Sequence, residues 1–298
     1  MTTTRVRPWH GVMVATALPL EDDLSIDLDG YAEHCRWLVA SGCDGVVPNG
    51  SLGEYQTLSE QERTRVVETA VAAVGGDRVM PGIAAYGALE ARRWAERARA
   101  AGCRAVMLLP PNAYRADERT VIEHYREVAE AGLPIVAYNN PFDTRVDLTP
   151  ELLARLYAEG LITAVKEFSG DVRRAYRLAE LAPGLDLLAG ADDVLLELAV
   201  AGVVGWVAGY PNALPRSCVA LYRAAVAGDL ATALPLYRAL HPLLRWDSRT
   251  VFVQAIKLSM DLAGRRGGPS RPPRLSLVPE EEAAVRAATE KILAEGLG

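Results

Sequence analysis

Lysine is nearly missing from this 298-residue chain: of 32 basic residues only those at 166, 257 and 291 are lysines, and arginine supplies the rest. Where a positive charge serves only solubility this sequence uses arginine, so a lysine inside an apolar segment implies a task specific to an amine. Lys291 falls in a charged C-terminal helical stretch and Lys257 in another helical stretch, which leaves Lys166, behind Ala164 and Val165, as the odd one. The four cysteines (Cys35, Cys43, Cys103, Cys218) stand far apart, with no C-x-x-C and no nearby histidine pair. That excludes the usual zinc frameworks and a disulfide scaffold, and it reads as reduced structural thiols. No H-E-x-x-H and no G-x-G-x-x-G occurs, so neither a metalloprotease helix nor a dinucleotide fold is indicated. Basic residues never cluster with interleaved aromatics, and the net charge is −6, so nucleic acid is an unsuited partner. The longest apolar stretch after the N-terminal region, Val194–Tyr210, is broken by Glu197 and three glycines and falls short of a bilayer span.

Arg5 and Arg7 ahead of the apolar Gly11–Leu20 imitate a secretory signal. Pro8 and Pro19 bracket that run and Glu21-Asp22-Asp23 follows it, so a first buried strand is the better reading and a cytoplasmic protein the expectation.

Half of the residues are hydrophobic and 23% are charged, the balance of a globular protein. Glycines then mark a rhythm. Ser41-Gly42, Gly75-Gly76, Ala101-Gly102, Ala131-Gly132, Glu159-Gly160, Pro183-Gly184 and Ala201-Gly202 each close a helical pattern and each precede a short apolar run. With Gly11–Thr16, those runs predict eight strands: 45–47, 79–83, 105–109, 134–138, 163–166, 187–189 and 203–207. Continuous rather than alternating apolar runs suit parallel strands covered on both faces. Ser59-x-x-Glu62 is a capping box and Thr149-Pro150 a cap followed by an N1 proline, so the intervening helices have their own start signals. Strict alternation predicts a (β/α)₈ TIM barrel over residues 1–225. Apolar-periodic segments near 216–227, 230–244, 250–262 and 280–295 close that barrel and build a helical extension over 226–298.

In such a barrel the C-terminal strand ends converge on one mouth, and chemistry belongs there. Lys166 ends the sixth expected strand and Tyr138 the fifth. An amine enclosed by apolar barrel wall loses hydration, which lowers its pKa toward the neutral nucleophile that attacks carbonyls to give a Schiff base. A neighbouring phenol can shuttle the protons. The plainer readings are an ion pair between Lys166 and Glu167, a packed aromatic at Tyr138 and an ordinary turn at Ser51.

Gly50-Ser51-Leu52-Gly53-Glu54, Tyr138-Asn139-x-Pro141 and Val165-Lys166-Glu167-x-Ser169-Gly170-Asp171 resemble, in that order, the signatures of the dihydrodipicolinate synthase / N-acetylneuraminate lyase family. The resemblance extends from about residue 10 to the C-terminal helix. It implies a homotetrameric barrel, a lysine imine with pyruvate or another 2-oxo acid, and no metal or organic cofactor. By position it makes Lys166 the imine lysine and Tyr138 the acid/base. Ser51 and Leu52 N–H groups would hold the substrate carboxylate, the Ser51 hydroxyl would relay protons to Tyr138, and Val207 would line the pocket.

The departures from the family pattern bear on specificity. Leu52 replaces a second hydroxyl residue, and Asn112-Ala113 stands where a tyrosine pair is expected, with Tyr114 one place late. Asp143 occupies the place of an arginine that clamps an aldehyde's carboxylate, and Arg145 is the nearest arginine. The resemblance therefore implies a lyase that cleaves or condenses a 2-oxo acid with an aldehyde, or dehydrates a deoxy sugar acid. Asp143, Asn112 and Asn140 are then candidates for substrate hydroxyls. The alternatives are 4-hydroxy-tetrahydrodipicolinate synthase of lysine biosynthesis and a barrel that binds a 2-oxo acid without turnover.

Overall fold

The computed structural model describes residues 7–112 and 114–298. Arg5 and Ala113 lie outside them. Seven short strands, β1 (Gly11–Ala15), β2 (Gly45–Val47), β3 (Val106–Leu108), β4 (Ile135–Asn139), β5 (Ala164–Glu167), β6 (Asp186–Ala189) and β7 (Gly205–Ala208), form one parallel sheet in the order β2-β1-β7-β6-β5-β4-β3. The two ends of that order meet through residues 79–83, where Val79 bridges Val46 and Gly82 bridges Met107. The barrel thus closes at the expected third strand, but with two bridges in place of a ladder. Two prolines explain this: Pro81 has no N–H to donate toward β3, although its carbonyl accepts from Met107 N–H at 3.0 Å, and on the β2 side Met80 and Gly82 donate to the Val46 and Pro48 carbonyls at 3.0 and 2.8 Å but Pro48 has no N–H to return.

The outer ring is α1 (Leu28–Ala40), α2 (Glu60–Val74), α3 (Ala88–Ala100), α4 (Glu118–Ala129), the single turn α5 (Pro141–Thr144), α6 (Pro150–Ala158), α7 (Arg173–Leu181), α8 (Leu195–Val200) and α9 (Pro215–Val226). The Ser59/Glu62 capping box and the Thr149 cap both form. Six of the seven expected glycine stops take the left-handed conformation, at 42, 75, 102, 132, 160 and 202. The seventh does not: α7 stops one residue before Ala182, and Gly184 is small because a side chain there would collide with the Tyr157 hydroxyl.

Beyond α9 the chain continues as α10 (Leu230–Leu244), α11 (Phe252–Leu262) and α12 (Pro279–Ala294), within a few residues of the periodic segments. Leu240, Ile256, Val285 and Ile292 join the same apolar cluster as the barrel's Val12 and Leu38, so no separate core divides the extension from the barrel. The apolar run after Arg7 is the first strand, with Val12, Met13 and Val14 buried. Among the described residues no helix is long and apolar enough to cross a membrane. All four cysteines are buried and unpaired with one another, and burial pushes the thiols up, Cys35 and Cys43 to about 12 and Cys103 to about 11.

Candidate active site

The strand register decides which side chains face the barrel interior. Tyr138 on β4 pairs with Lys166 on β5, and Asn139 with Glu167. Successive strand residues point to opposite sides, so Tyr138 and Lys166 share the interior while Asn139 and Glu167 share the other face. Glu167 accepts from Asn139 Nδ2 at 3.0 Å and from Ser169 N–H at 2.6 Å. The Lys166–Glu167 ion pair allowed by the sequence is therefore absent, because the pleat separates the two.

Lys166 is 5% exposed, with its Nζ 4.3 Å from the centroid of the Tyr138 ring and 5.5 Å from that of Phe168. Those rings meet edge to face. Desolvation lowers the Lys166 pKa, against the weaker pull of Asp247 and Asp192, neither of which reaches it as a direct hydrogen-bond partner. Its stem passes where a Cβ on residue 190 would be 3.1 Å from Lys166 Cγ and 2.4 Å from the Glu167 carbonyl oxygen, so position 190 must be glycine.

The lysine faces a cavity of about 370 Å³ at the strand ends, lined by Ser51, Leu52, Tyr138, Asn140, Asp143, Val207 and others. A larger cleft of about 980 Å³ lies outside the barrel between α2 and α3, away from these groups. Seven of the eight residues singled out from the sequence meet around the smaller cavity. Asn112 is the exception: its Nδ2 donates to the Tyr55 hydroxyl at 3.5 Å, outside the lining. Ala113 lies outside the described residues, and Tyr114 is 56% exposed.

The phenol of Tyr138 is held by a short chain of contacts. Asn140 Nδ2 donates to Tyr138 Oη at 3.3 Å and to Asp143 Oδ2 at 2.8 Å, and Asp143 N–H returns a bond to Asn140 Oδ1 at 3.2 Å. Burial raises the Tyr138 pKa well above its ordinary value, which keeps the hydroxyl protonated and able to donate. Ser51 and Tyr138 line the same cavity, yet the partner of Tyr138 is Asn140 and not the Ser51 hydroxyl.

The segment from Asn49 to Glu54 is fixed at both ends by left-handed residues, with φ of 56° and 53°. Asparagine tolerates that conformation; glutamate resists it by roughly 1–2 kcal/mol, so the surroundings must impose it. Asn49 Nδ2 donates to the Arg63 carbonyl at 3.0 Å, and Glu54, 1% exposed, accepts from Lys257 Nζ at 2.7 Å and from Arg271 N–H at 3.0 Å. Among the described residues, the N–H groups of Ser51 and Leu52 donate to no protein acceptor. They are available to an anion.

Lysine scarcity thus marks two buried residues, not one. Lys257 is 2% exposed, but its ammonium is satisfied by Glu54 and by the Pro269 carbonyl at 2.7 Å. Sequence reasoning placed it on an ordinary helix and missed it, because Glu54 is 203 residues away. It also missed Asp247, Arg249, Phe252 and Arg274, which the extension contributes to the cavity wall. Asp247 and Arg249 sit in the polar connector between two apolar-periodic segments, which was their one signal.

Residues 8–292 match the dihydrodipicolinate synthetase family. A 4-hydroxy-tetrahydrodipicolinate synthase from Methanothrix thermoacetophila is 35% identical over 281 residues, 93% of this chain and 95% of that protein. An uncharacterized DapA-like lyase from Halobacterium salinarum is 33% identical over 282 residues, 93% and 92% of the two chains. Among solved structures, YagE from E. coli K12, a prophage protein of the same family crystallised with pyruvate, superposes with a TM-score of 0.88 at 26% identity, over 97% of this chain and 99% of that one. A closed parallel barrel, an unpaired lysine on an interior wall and a match across nearly the whole chain lead to one assignment: this protein belongs to the dihydrodipicolinate synthetase family and is a lyase of the class I aldolase type.

Proposed function

We propose that this chain acts on a 2-oxo acid through an imine on Lys166, releasing or consuming pyruvate with an aldehyde as the other partner, or dehydrating a deoxy sugar acid. The observation that carries the reading is the Lys166 amine: buried, desolvated, without a direct hydrogen-bond partner among the described residues, and open to a cavity beside Tyr138. The neutral amine adds to the 2-oxo carbonyl, the Tyr138 hydroxyl protonates the departing oxygen of the carbinolamine, and water leaves. The free Ser51 and Leu52 N–H groups take the adjacent carboxylate, with Val207 along the apolar side. The iminium is the electron sink for breaking the bond at C3. YagE crystallised with pyruvate supports the 2-oxo acid. A cytoplasmic homotetramer is the assembly in keeping with the family.

Incubation with pyruvate and borohydride, followed by peptide mass spectrometry, is expected to place one reduced pyruvate on Lys166. An unmodified protein, or label on Lys257 or Lys291, would overturn the assignment. Because the iminium supplies the electron sink, activity is also expected to survive prolonged treatment with chelator. Loss of activity on chelation, restored by a divalent ion, would contradict this.

Synthase names among the relatives favour a second reading, condensation of pyruvate with aspartate semialdehyde. The cavity argues against it at one point. Asp143 lines the wall where the resemblance places a carboxylate clamp, and Arg145 is not part of the lining. Losing such a charge-assisted contact costs about 2–5 kcal/mol, some tens- to thousands-fold in turnover at about 1.4 kcal/mol per factor of ten. Purified enzyme should therefore condense aspartate semialdehyde poorly, and Asp143→Arg should not impair that reaction. Robust kinetics with aspartate semialdehyde would show that Arg145 or another group provides the clamp and would overturn this reading of the site.

A further inference from the structure

Asp247 is a cavity residue that the imine chemistry leaves without a task. It stands in the connector between α10 and α11, is 6% exposed, and lines the cavity together with Lys166 and Tyr138. Its Oδ2 accepts from the Asp192 backbone N–H at 3.3 Å. Its Oδ1 crosses Gly209, where a Cβ would come within 2.6 Å of it, and has no hydrogen-bond partner among the described residues. The carboxylate influences Lys166 through space without bonding to it. An acid and an amine that share a cavity wall without closing into an ion pair leave room for a reacting group between them.

The charged and titratable groups around it set its proton. Lys166 and Tyr138 face it from β5 and β4, Asp192 and Asp193 from the turn after β6, Tyr210 from the turn after β7, and Arg249 follows on its own connector. Burial raises both Asp192 and Asp247. Asp192 is taken up by three donors, Trp206 Nε1 at 3.0 Å, Gly209 N–H at 3.1 Å and Tyr210 N–H at 2.9 Å, and does not line the cavity, so Asp247 is the carboxyl of the pair that is open to a substrate. Asp247 is pushed up to about 7, with the Lys166 charge opposing the shift. A group that holds and releases a proton near neutrality suits acid–base work better than the Tyr138 phenol, which burial keeps protonated.

We propose that Asp247, supplied by the C-terminal extension, is a catalytic residue that exchanges the proton on the C4 oxygen of a 4-hydroxy-2-oxo acid. The proposal rests on the Lys166 imine described above. With the substrate held as an iminium, the Asp247 carboxylate takes the C4 hydroxyl proton. The C4 oxygen becomes the aldehyde carbonyl, the C3–C4 bond breaks, and its electron pair enters the enamine and neutralises the nitrogen. C3 then takes up one proton, equal to the one Asp247 removed, and water hydrolyses the imine to pyruvate and free Lys166.

The test compares wild-type and Asp247→Asn full-length protein in two assays: borohydride trapping of pyruvate, and pyruvate release from 4-hydroxy-2-oxo acids with neutral, acidic and aromatic ends. Asparagine preserves the shape and can still accept from Asp192 N–H. Trapping at Lys166 should persist in the variant, whereas cleavage should fall by about 10²–10⁴-fold. In the wild type, cleavage should rise with pH through a limb near 7 that trapping lacks, a readout independent of whether the variant folds. Unchanged cleavage in the variant, loss of its trapping along with cleavage, absence of the separate limb, or a wild type that traps pyruvate but cleaves no member of the panel would each overturn the role of Asp247. Failure of the wild type to trap at Lys166 would instead overturn the imine reading beneath it.

Discussion

Lys166→Met is expected to lower turnover by about 10⁴-fold or more, the scale on which enzymes lose rate when a covalent nucleophile is removed. Methionine approximates the length and volume of the lysine stem but cannot form the imine. Stability should move the other way. The wild-type amine is buried with no direct hydrogen-bond partner among the described residues and with its charge disfavoured by desolvation. Replacing an uncompensated polar group by an apolar one of similar shape relieves about 1–3 kcal/mol, so the melting temperature should rise. A calorimetric scan beside the activity assay checks both halves. Substantial residual turnover would remove Lys166 from the reaction, and a lowered melting temperature would mean that the amine has a structural partner.

Lys257→Met is expected to do the opposite, destabilising the protein while leaving Lys166 in place. It strands Glu54, which is 1% exposed and would keep only the Arg271 N–H and a distant Arg274. Removing one partner of a buried pair costs about 3–5 kcal/mol, because the other charge stays buried. For a chain of this size that is a fall in melting temperature on the order of 10 °C. Glu54 is also the left-handed residue that ends the Ser51–Leu52 turn, so the N–H groups of Ser51 and Leu52 should lose their fixed positions. The expected kinetic signature is a raised KM for the 2-oxo acid with a smaller change in kcat. A double variant, Lys257→Met with Glu54→Gln, should recover part of the stability, since the stranded charge is then gone. If Lys257→Met melts as the wild type does, the pair is not what holds the turn.

Local chemistry made much of this protein legible in its sequence. Glycine at a helix end, Ser59 ahead of Glu62, Thr149 ahead of Pro150 and apolar runs too continuous for a half-exposed sheet are short-range signals, and the helices and seven of the eight strands they announced are present. Lys166 and Tyr138 were found because the strands that carry them are parallel neighbours, so that proximity follows from alternation and needs no knowledge of packing. The weak third strand was harder. An apolar run containing proline still reads as a strand, and the missing N–H is felt only when the neighbouring strand comes to pair with it.

Tertiary structure alone decided the rest, because the deciding distances join residues far apart in the chain. The sequence by itself pointed to the barrel, the helical extension, the buried Lys166 and the seven candidate residues that meet at one cavity. It could not reveal that Asn112 turns aside to Tyr55, that Lys257 is spent on Glu54, or that Asp247 enters the wall beside Lys166. Periodicity fixes which face of a helix is apolar, and caps fix where it ends. Neither says where the connector after α10 folds back, and that is set by the long-range burial of α10, α11 and α12 against the barrel. The motif residues were visible because their chemistry is local, whereas Asp247, Arg249, Phe252 and Arg274 reach the cavity wall from a segment whose position only packing determines.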